Sequence, residues 1–171
     1  MGLFVKNDYQ EIISKPALLG DLASNVECKE RDRRNDSGLF IPFGGVVVYD
    51  TTTDGIKPPA ATGDTPVGVA ILRSIYEDEE FDYGGGTVRQ GYGDGVRVPI
   101  LKKGDIYVYC ETAFSPTDTV YFRHTANGAG TVLGDVRVDA DSATCDAFTA
   151  ASFVNKSATA GIAILSLNLN G

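Results

Sequence analysis

Along residues 44–169 the hydrophobic positions come in short runs, three to eight residues long, broken by Gly, Pro, Asp and Asn. Val46-Val47-Val48-Tyr49, Val67-Gly68-Val69-Ala70-Ile71-Leu72, Val96-Arg97-Val98-Pro99-Ile100-Leu101, Ile106-Tyr107-Val108-Tyr109 and Thr119-Val120-Tyr121-Phe122-Arg123 are the clearest, with Val136-Arg137-Val138 and 160–167 completing the set. β-Branched and aromatic runs at this spacing predict strands of one antiparallel β body. Within Ile106-Tyr107-Val108-Tyr109-Cys110-Glu111 the alternation puts Ile106, Val108 and Cys110 on one face and Tyr107, Tyr109 and Glu111 on the other. The tyrosine face is free to pack on another layer or another subunit. Lys102-Lys103-Gly104-Asp105 reads as the turn of a hairpin between two strands. The last run is apolar at both parities, which predicts a central strand covered on both sides.

Other stretches do not follow the two-residue period. Residues 140–155 fit either a short capped helix carrying Phe148 and Ala151 or a strand at Phe153-Val154. Residues 74–95 combine an acidic run, Glu77-Asp78-Glu79-Glu80-Phe81-Asp82, with Gly84, Gly85, Gly86, Gly91, Gly93 and Gly95, the make-up of a hairpin or a long loop. Residues 1–38 form a separate unit in this reading and 39–171 a single β-rich domain. The first unit carries the apolar group Leu18, Leu19 and Leu22, where one helical turn fits across 17–24. A charged run over 27–36 follows, with Arg31, Arg33 and Arg34 among its cations. Such a segment is either a solvated leader or an arm that orders against a partner, and the leucines favour the arm.

Composition narrows the function. A chain of 171 residues can bury roughly 70% of its unfolded surface in one core. A net charge of -8 argues against nucleic acid as a direct partner, since phosphate binding needs a concentrated basic face. No apolar stretch reaches membrane-spanning length and no secretory signal is expected at the N-terminus. Cys28, Cys110 and Cys145 are odd in number and far apart, so they read as reduced structural thiols.

The search for chemistry turns up little. His124, the only histidine, follows a strand and precedes a turn, which predicts a surface or loop histidine rather than a catalytic one. The glycine-rich stretch lacks the Gly-Lys-Ser/Thr of a phosphate loop, and the acidic runs lack the EF-hand pattern. No catalytic residues, metal or cofactor are therefore expected. A rival reading is a β-sandwich carbohydrate-binding or tail-associated adhesion module with Tyr76, Tyr83 and Tyr92 as its ligand surface. A third is a nucleotide hydrolase, to which only Asp94-Gly95-Val96-Arg97 points.

The order of segments resembles the structural cement (head decoration) proteins of tailed bacteriophages. The resemblance lies in Pro16-Ala17-Leu18-Leu19-Gly20-Asp21-Leu22, Ile41-Pro42-Phe43-Gly44-Gly45-Val46-Val47, Pro66-Val67-Gly68-Val69-Ala70, the 96–108 region, Asp118-Thr119-Val120-Tyr121-Phe122-Arg123 and 161–167. It implies an all-β fold, an antiparallel β-barrel or jelly-roll-like sandwich with an extended N-terminal arm. It also implies a non-enzymatic virion protein, made in the bacterial host cytoplasm, that binds the major capsid protein on the outer surface of the capsid and associates with itself as a homodimer or homotrimer. Neither nucleic acid nor membrane is expected as a partner. On this reading Leu18, Leu19, Leu22, Arg31, Arg33 and Arg34 are the candidates for capsid contact. Tyr107, Tyr109 and Tyr121 are the candidates for self-association.

Overall fold

The computed structural model describes residues 18–24, 28–73 and 79–169. Among them there is no helix, and thirteen strands form two sheets. In chain order they are β1 (Lys29–Arg34), β2 (Ile41–Pro42), β3 (Val46–Asp50), β4 (Gly55–Lys57), β5 (Pro66–Ala70), β6 (Glu79–Asp82), β7 (Val88–Tyr92), β8 (Arg97–Cys110), β9 (Tyr121–Arg123), β10 (Val136–Arg137), β11 (Cys145–Ala147), β12 (Ala151–Phe153) and β13 (Gly161–Asn168). The larger sheet has the order β11-β9-β10-β8-β5-β3-β4, with β1 and β13 also on β8 and β12 on β13. The smaller has the order β2-β7-β6. Strand pairing is antiparallel apart from the single β8–β10 register, Cys110 with Val136. The result is a sandwich-like all-β fold. It is not a closed barrel: the terminal strands β4 and β11 are three residues each, and neither pairs with the other to complete a ring.

β8 organises the molecule. It is one continuous strand of 14 residues, not the hairpin its Lys-Lys-Gly-Asp centre predicts. Its first half pairs with β1 and β5, and its second half pairs with β13 from Gly104 to Cys110. Those non-local ladders hold the backbone straight through a sequence that would turn on its own. Gly104 takes φ +125 at the junction, where a Cβ would approach Cys28 Sγ to 3.0 Å. The expected alternation does hold: Ile106, Val108 and Cys110 are buried while Tyr107 and Tyr109 are half-buried.

Two apolar clusters result. One gathers Val46, Leu101, Ile106, Val108, Phe122, Phe148, Phe153, Ala163, Leu165 and neighbours. The other gathers Ile41, Phe43, Val47, Ile56, Val67, Tyr92, Val98 and Ile100. β13 is interior, between β8 and β12, but only Ala163, Leu165 and Leu167 are buried. Ile162 stays 40% exposed, so β13 is covered on one face and not on both as its composition predicts. Residues 140–153 hold neither a helix nor one long strand. They contain β11, β12 and a tight turn in which Asp141, Ser142 and Ala143 all have positive φ.

Residues 18–24 are built into the larger sheet. They make a turn, with Asp21 N–H donating to Leu18 O at 3.1 Å, and then a β-bridge between Leu22 and Ile106, in place of the helical turn that fits the sequence. Gly20 N–H donates to Tyr107 O at 2.8 Å, Tyr107 N–H to Asp21 O at 2.9 Å and Ala23 N–H to Asp105 O at 2.8 Å. Gly20 is tightly enclosed: at φ +83, a Cβ would lie 2.7 Å from Leu72 N. After β1, buried Asn35 donates from its side chain to Leu39 O and Gly93 O, tying the two sides of position 38 together.

Candidate functional site

β1 reads Lys-Glu-Arg-Asp-Arg-Arg and is exposed along nearly its whole length. Nothing apolar in it favours a strand; its conformation comes from the ladder to β8, which runs from Lys29 opposite Lys103 to Arg34 opposite Arg97. The pairing collects charge. Lys29, Arg31, Arg33 and Arg34 on β1 and Arg97, Lys102 and Lys103 on β8 are seven of the chain's 15 basic residues, in a protein of net charge -8. Opposed residues in an antiparallel pair share a face. Arg31 and Arg33, opposite Ile100 and Val98, therefore lie on one side of the ribbon. Glu30 and Asp32 lie on the other, where Glu30 accepts from Arg73 at 2.6 Å. Arg34 pairs with Asp36 at 2.8 Å.

On the Arg31 side is a cleft of about 230 Å3 lined by Arg31, Arg33, Tyr49, Val67, Ile100 and Lys102. The Arg33 guanidinium sits 5.5 Å from the centre of the Tyr49 ring, and its Nη2 is 3.4 Å from the Tyr49 hydroxyl. Val67 and Ile100 are buried and supply an apolar floor. Sequence reasoning singled out the two arginines and missed Tyr49, Val67, Ile100 and Lys102. Those four come from β3, β5 and β8, and only the ladder brings them together.

The leucine candidates are elsewhere. Leu22 bridges to Ile106, six residues along β8 from Ile100, roughly 20 Å at the rise of a strand. Leu22 packs against the first apolar cluster and Leu19 against the second. Leu18 is 51% exposed at the lip of an apolar groove with Leu19, Phe43, Leu72 and Val88. The leucines and arginines thus occupy separate parts of the surface.

Of the tyrosines, Tyr107 and Tyr109 share a face of β8 with Ile164 and Ile162 of β13 directly opposite. The Arg89 guanidinium lies 4.4 Å from the Tyr109 ring centre. Tyr121 is on β9, opposite Arg137 and Ala147, apart from that pair. Of the rival ligand surface, Tyr92 is 1% exposed and donates its hydroxyl to Ile71 O at 2.5 Å. Tyr83 is half-buried against Phe81. Tyr76 lies outside the described residues.

The densest charged group is internal. The Arg123 side chain is 1% exposed, and its Nε and Nη2 each donate to Glu111 at 2.6 Å. Nη2 also reaches Asp141 at 2.6 Å, while Nη1 reaches Thr144 Oγ1 at 2.9 Å and Thr125 O at 3.1 Å. Arg137 adds Glu111 and Asp141 at 3.0 Å and Asp139 at 2.9 Å. The hydrogen bonds from Arg123 and Asn127 hold the Asp141 carboxyl down at about 2. Burial pushes Asp135 up to about 7, against the opposing pull of Arg89 at 3.3 Å. Arg123's donors all end on protein acceptors, so this group locks β9 to the 139–144 turn. His124 lies just past β9 outside any strand, as a loop histidine would, but it is 2% exposed and not at the surface. Its backbone N–H donates to Thr144 O at 3.1 Å, and its Nδ1 lies 2.9 Å from Thr125 Oγ1. Among the described residues no cluster of His, Cys, Asp and Glu could hold a metal ion.

A family model described as structural cement protein (E217 gp24/Pam3 gp6) matches residues 5–168. The chain belongs to the structural cement protein family. Its fold is shared with a solved chain from "The capsid of Myoviridae Phage XM1", at a TM-score of 0.65 and 15% sequence identity, covering 91% of this chain and 93% of that one. No curated protein matches the chain. Membership gives this cement protein a structural role in the capsid of a bacteriophage.

Proposed function

We propose that the protein sits on the outer face of the capsid and ties neighbouring major capsid protein subunits together without catalysing a reaction. The family match over 5–168 carries this reading. Individually weak contacts repeated around a symmetric shell add through avidity, so one copy need not bind tightly. On this reading Arg31, Arg33 and Arg34 with exposed Leu18 face the capsid, while Leu19 and Leu22 hold the N-terminal segment against the body. Copies associate as dimers or trimers through Tyr107 and Tyr109 with Ile162 and Ile164, and Tyr121 flanks the contact. The protein is made in the bacterial host cytoplasm, and its acidic net charge keeps it off packaged DNA.

The test compares the full chain with a version lacking residues 1–17, which retains every contact described above. Each is added to undecorated capsid shells, and occupancy is read by sedimentation and gel densitometry. The full chain is expected to saturate the shells, and the shortened chain, which keeps Leu18, Arg31, Arg33 and Arg34, to match it. Lower occupancy for the shortened chain would move the contact into residues 1–17, and no binding by the full chain removes the cement reading.

A further inference from the structure

We propose that the cleft between β1, β3, β5 and β8 is a receptor for carboxylate side chains on an extended acidic segment of the capsid lattice. The inference rests on the cement reading and adds to it a place and a partner chemistry. Three cationic side chains, Arg31, Arg33 and Lys102, surround an apolar floor of Val67 and Ile100 beside the half-exposed Tyr49 ring. Among the described residues, no carboxylate pairs with Arg31 or Arg33. The acids of the same strand are on the opposite face, and Glu30 there is engaged by Arg73 at 2.6 Å.

The make-up of the cleft selects the ligand. At about 230 Å3 it is smaller than the roughly 300–1,000 Å3 of small-molecule pockets, and it suits a side chain better than a free ligand. The floor fits the methylene stem of Glu or Asp, and the guanidinium forks fit the carboxylate at its end. A nucleic-acid phosphate would gain nothing from the floor and would meet a protein of net charge -8 beyond the ribbon. Charge complementarity of this kind governs encounter rate and register as much as affinity.

Binding of the full chain to undecorated shells would be measured over a salt series, with R31E/R33E, the milder R31Q/R33Q, and K156E as a charge reversal on an exposed residue outside the ribbon. Thermal melts would confirm that each variant is folded. Docking is expected to weaken with salt, to fall roughly tenfold or more in R31E/R33E, less in R31Q/R33Q, and to hold in K156E. An oligoglutamate peptide is expected to compete with the shells, and duplex DNA is not. Wild-type docking retained by R31E/R33E overturns the proposal. So does competition by DNA alone, or a change only in the protein's own oligomeric mass. If the unaltered protein docks on no shell, the cement reading itself falls and takes this inference with it.

Discussion

At the scale of residues, the charged interior divides into a saturated part and a costly part. Arg123 is nearly inaccessible, yet its donors reach Glu111, Asp141, Thr144 and Thr125, so its desolvation is offset by charge-assisted hydrogen bonds. Asp135 is different. Its carboxyl titrates near 7 in the folded protein against an ordinary value near 3.8, so the folded state holds a proton that the unfolded state has released between those values. Its contribution is therefore fully present below about pH 4 and is lost as pH rises through about 7. Asp141 works the opposite way in a separate window: its contribution is present above 3.8 and lost as pH falls through about 2. Asp135→Asn is expected to flatten the decline in stability between pH 4 and 7, measured by urea denaturation at fixed pH intervals. A decline as steep as in the unaltered protein would show that the carboxyl is not its source. Neither role was legible in the sequence. Arg123 and His124 close an ordinary β-branched and aromatic run, and their burial comes from the 139–144 turn folding over β9.

At the scale of elements, the segment around Gly20 shows how closely the N-terminal region is joined to the body. Its backbone donates to Tyr107 O and accepts from Leu72 N–H at 2.9 Å. Gly20→Ala would bring a Cβ to 2.7 Å from Leu72 N at φ +83, a strained conformation and a clash with backbone that cannot swing aside. The expected loss is about 1–3 kcal/mol in chemical denaturation, against a smaller loss for Gly63→Ala, which carries the strain of φ +87 but meets nothing within 4 Å. Comparable losses at both positions would assign the effect to backbone conformation alone. Strand existence was readable where β-branched and aromatic residues cluster in short runs, as at β3, β5 and both halves of β8. The continuity of β8 was not, since Lys-Lys-Gly-Asp is turn vocabulary and its straightness depends on β1, β5 and β13. β1 was unreadable for the converse reason: six charged residues carry no strand signal, and the partner that makes them a strand begins more than sixty positions later. The cleft beside it was legible only through its arginines.

At the scale of the molecule, both apolar clusters draw on β8, through Leu101, Ile106 and Val108 for one and Val98 and Ile100 for the other. A strand common to both cores couples them, so the protein is expected to unfold in a single cooperative transition, with coincident curves by circular dichroism and tyrosine fluorescence. Two separated transitions would show that the clusters melt independently. The charged strand has a further consequence for contacts between copies of the protein. Among the described residues β1 pairs with β8 alone, with Asn35 just past its end bridging Ile56 of β4, and an unpaired strand edge invites another chain to add itself. When a strand meets its own twin across a twofold axis normal to the sheet, its central residue falls opposite itself. Centred on Arg31 or on Asp32, that sets like charge against like. A row of like charges set against itself in this way discourages fibrils of the protein's own making.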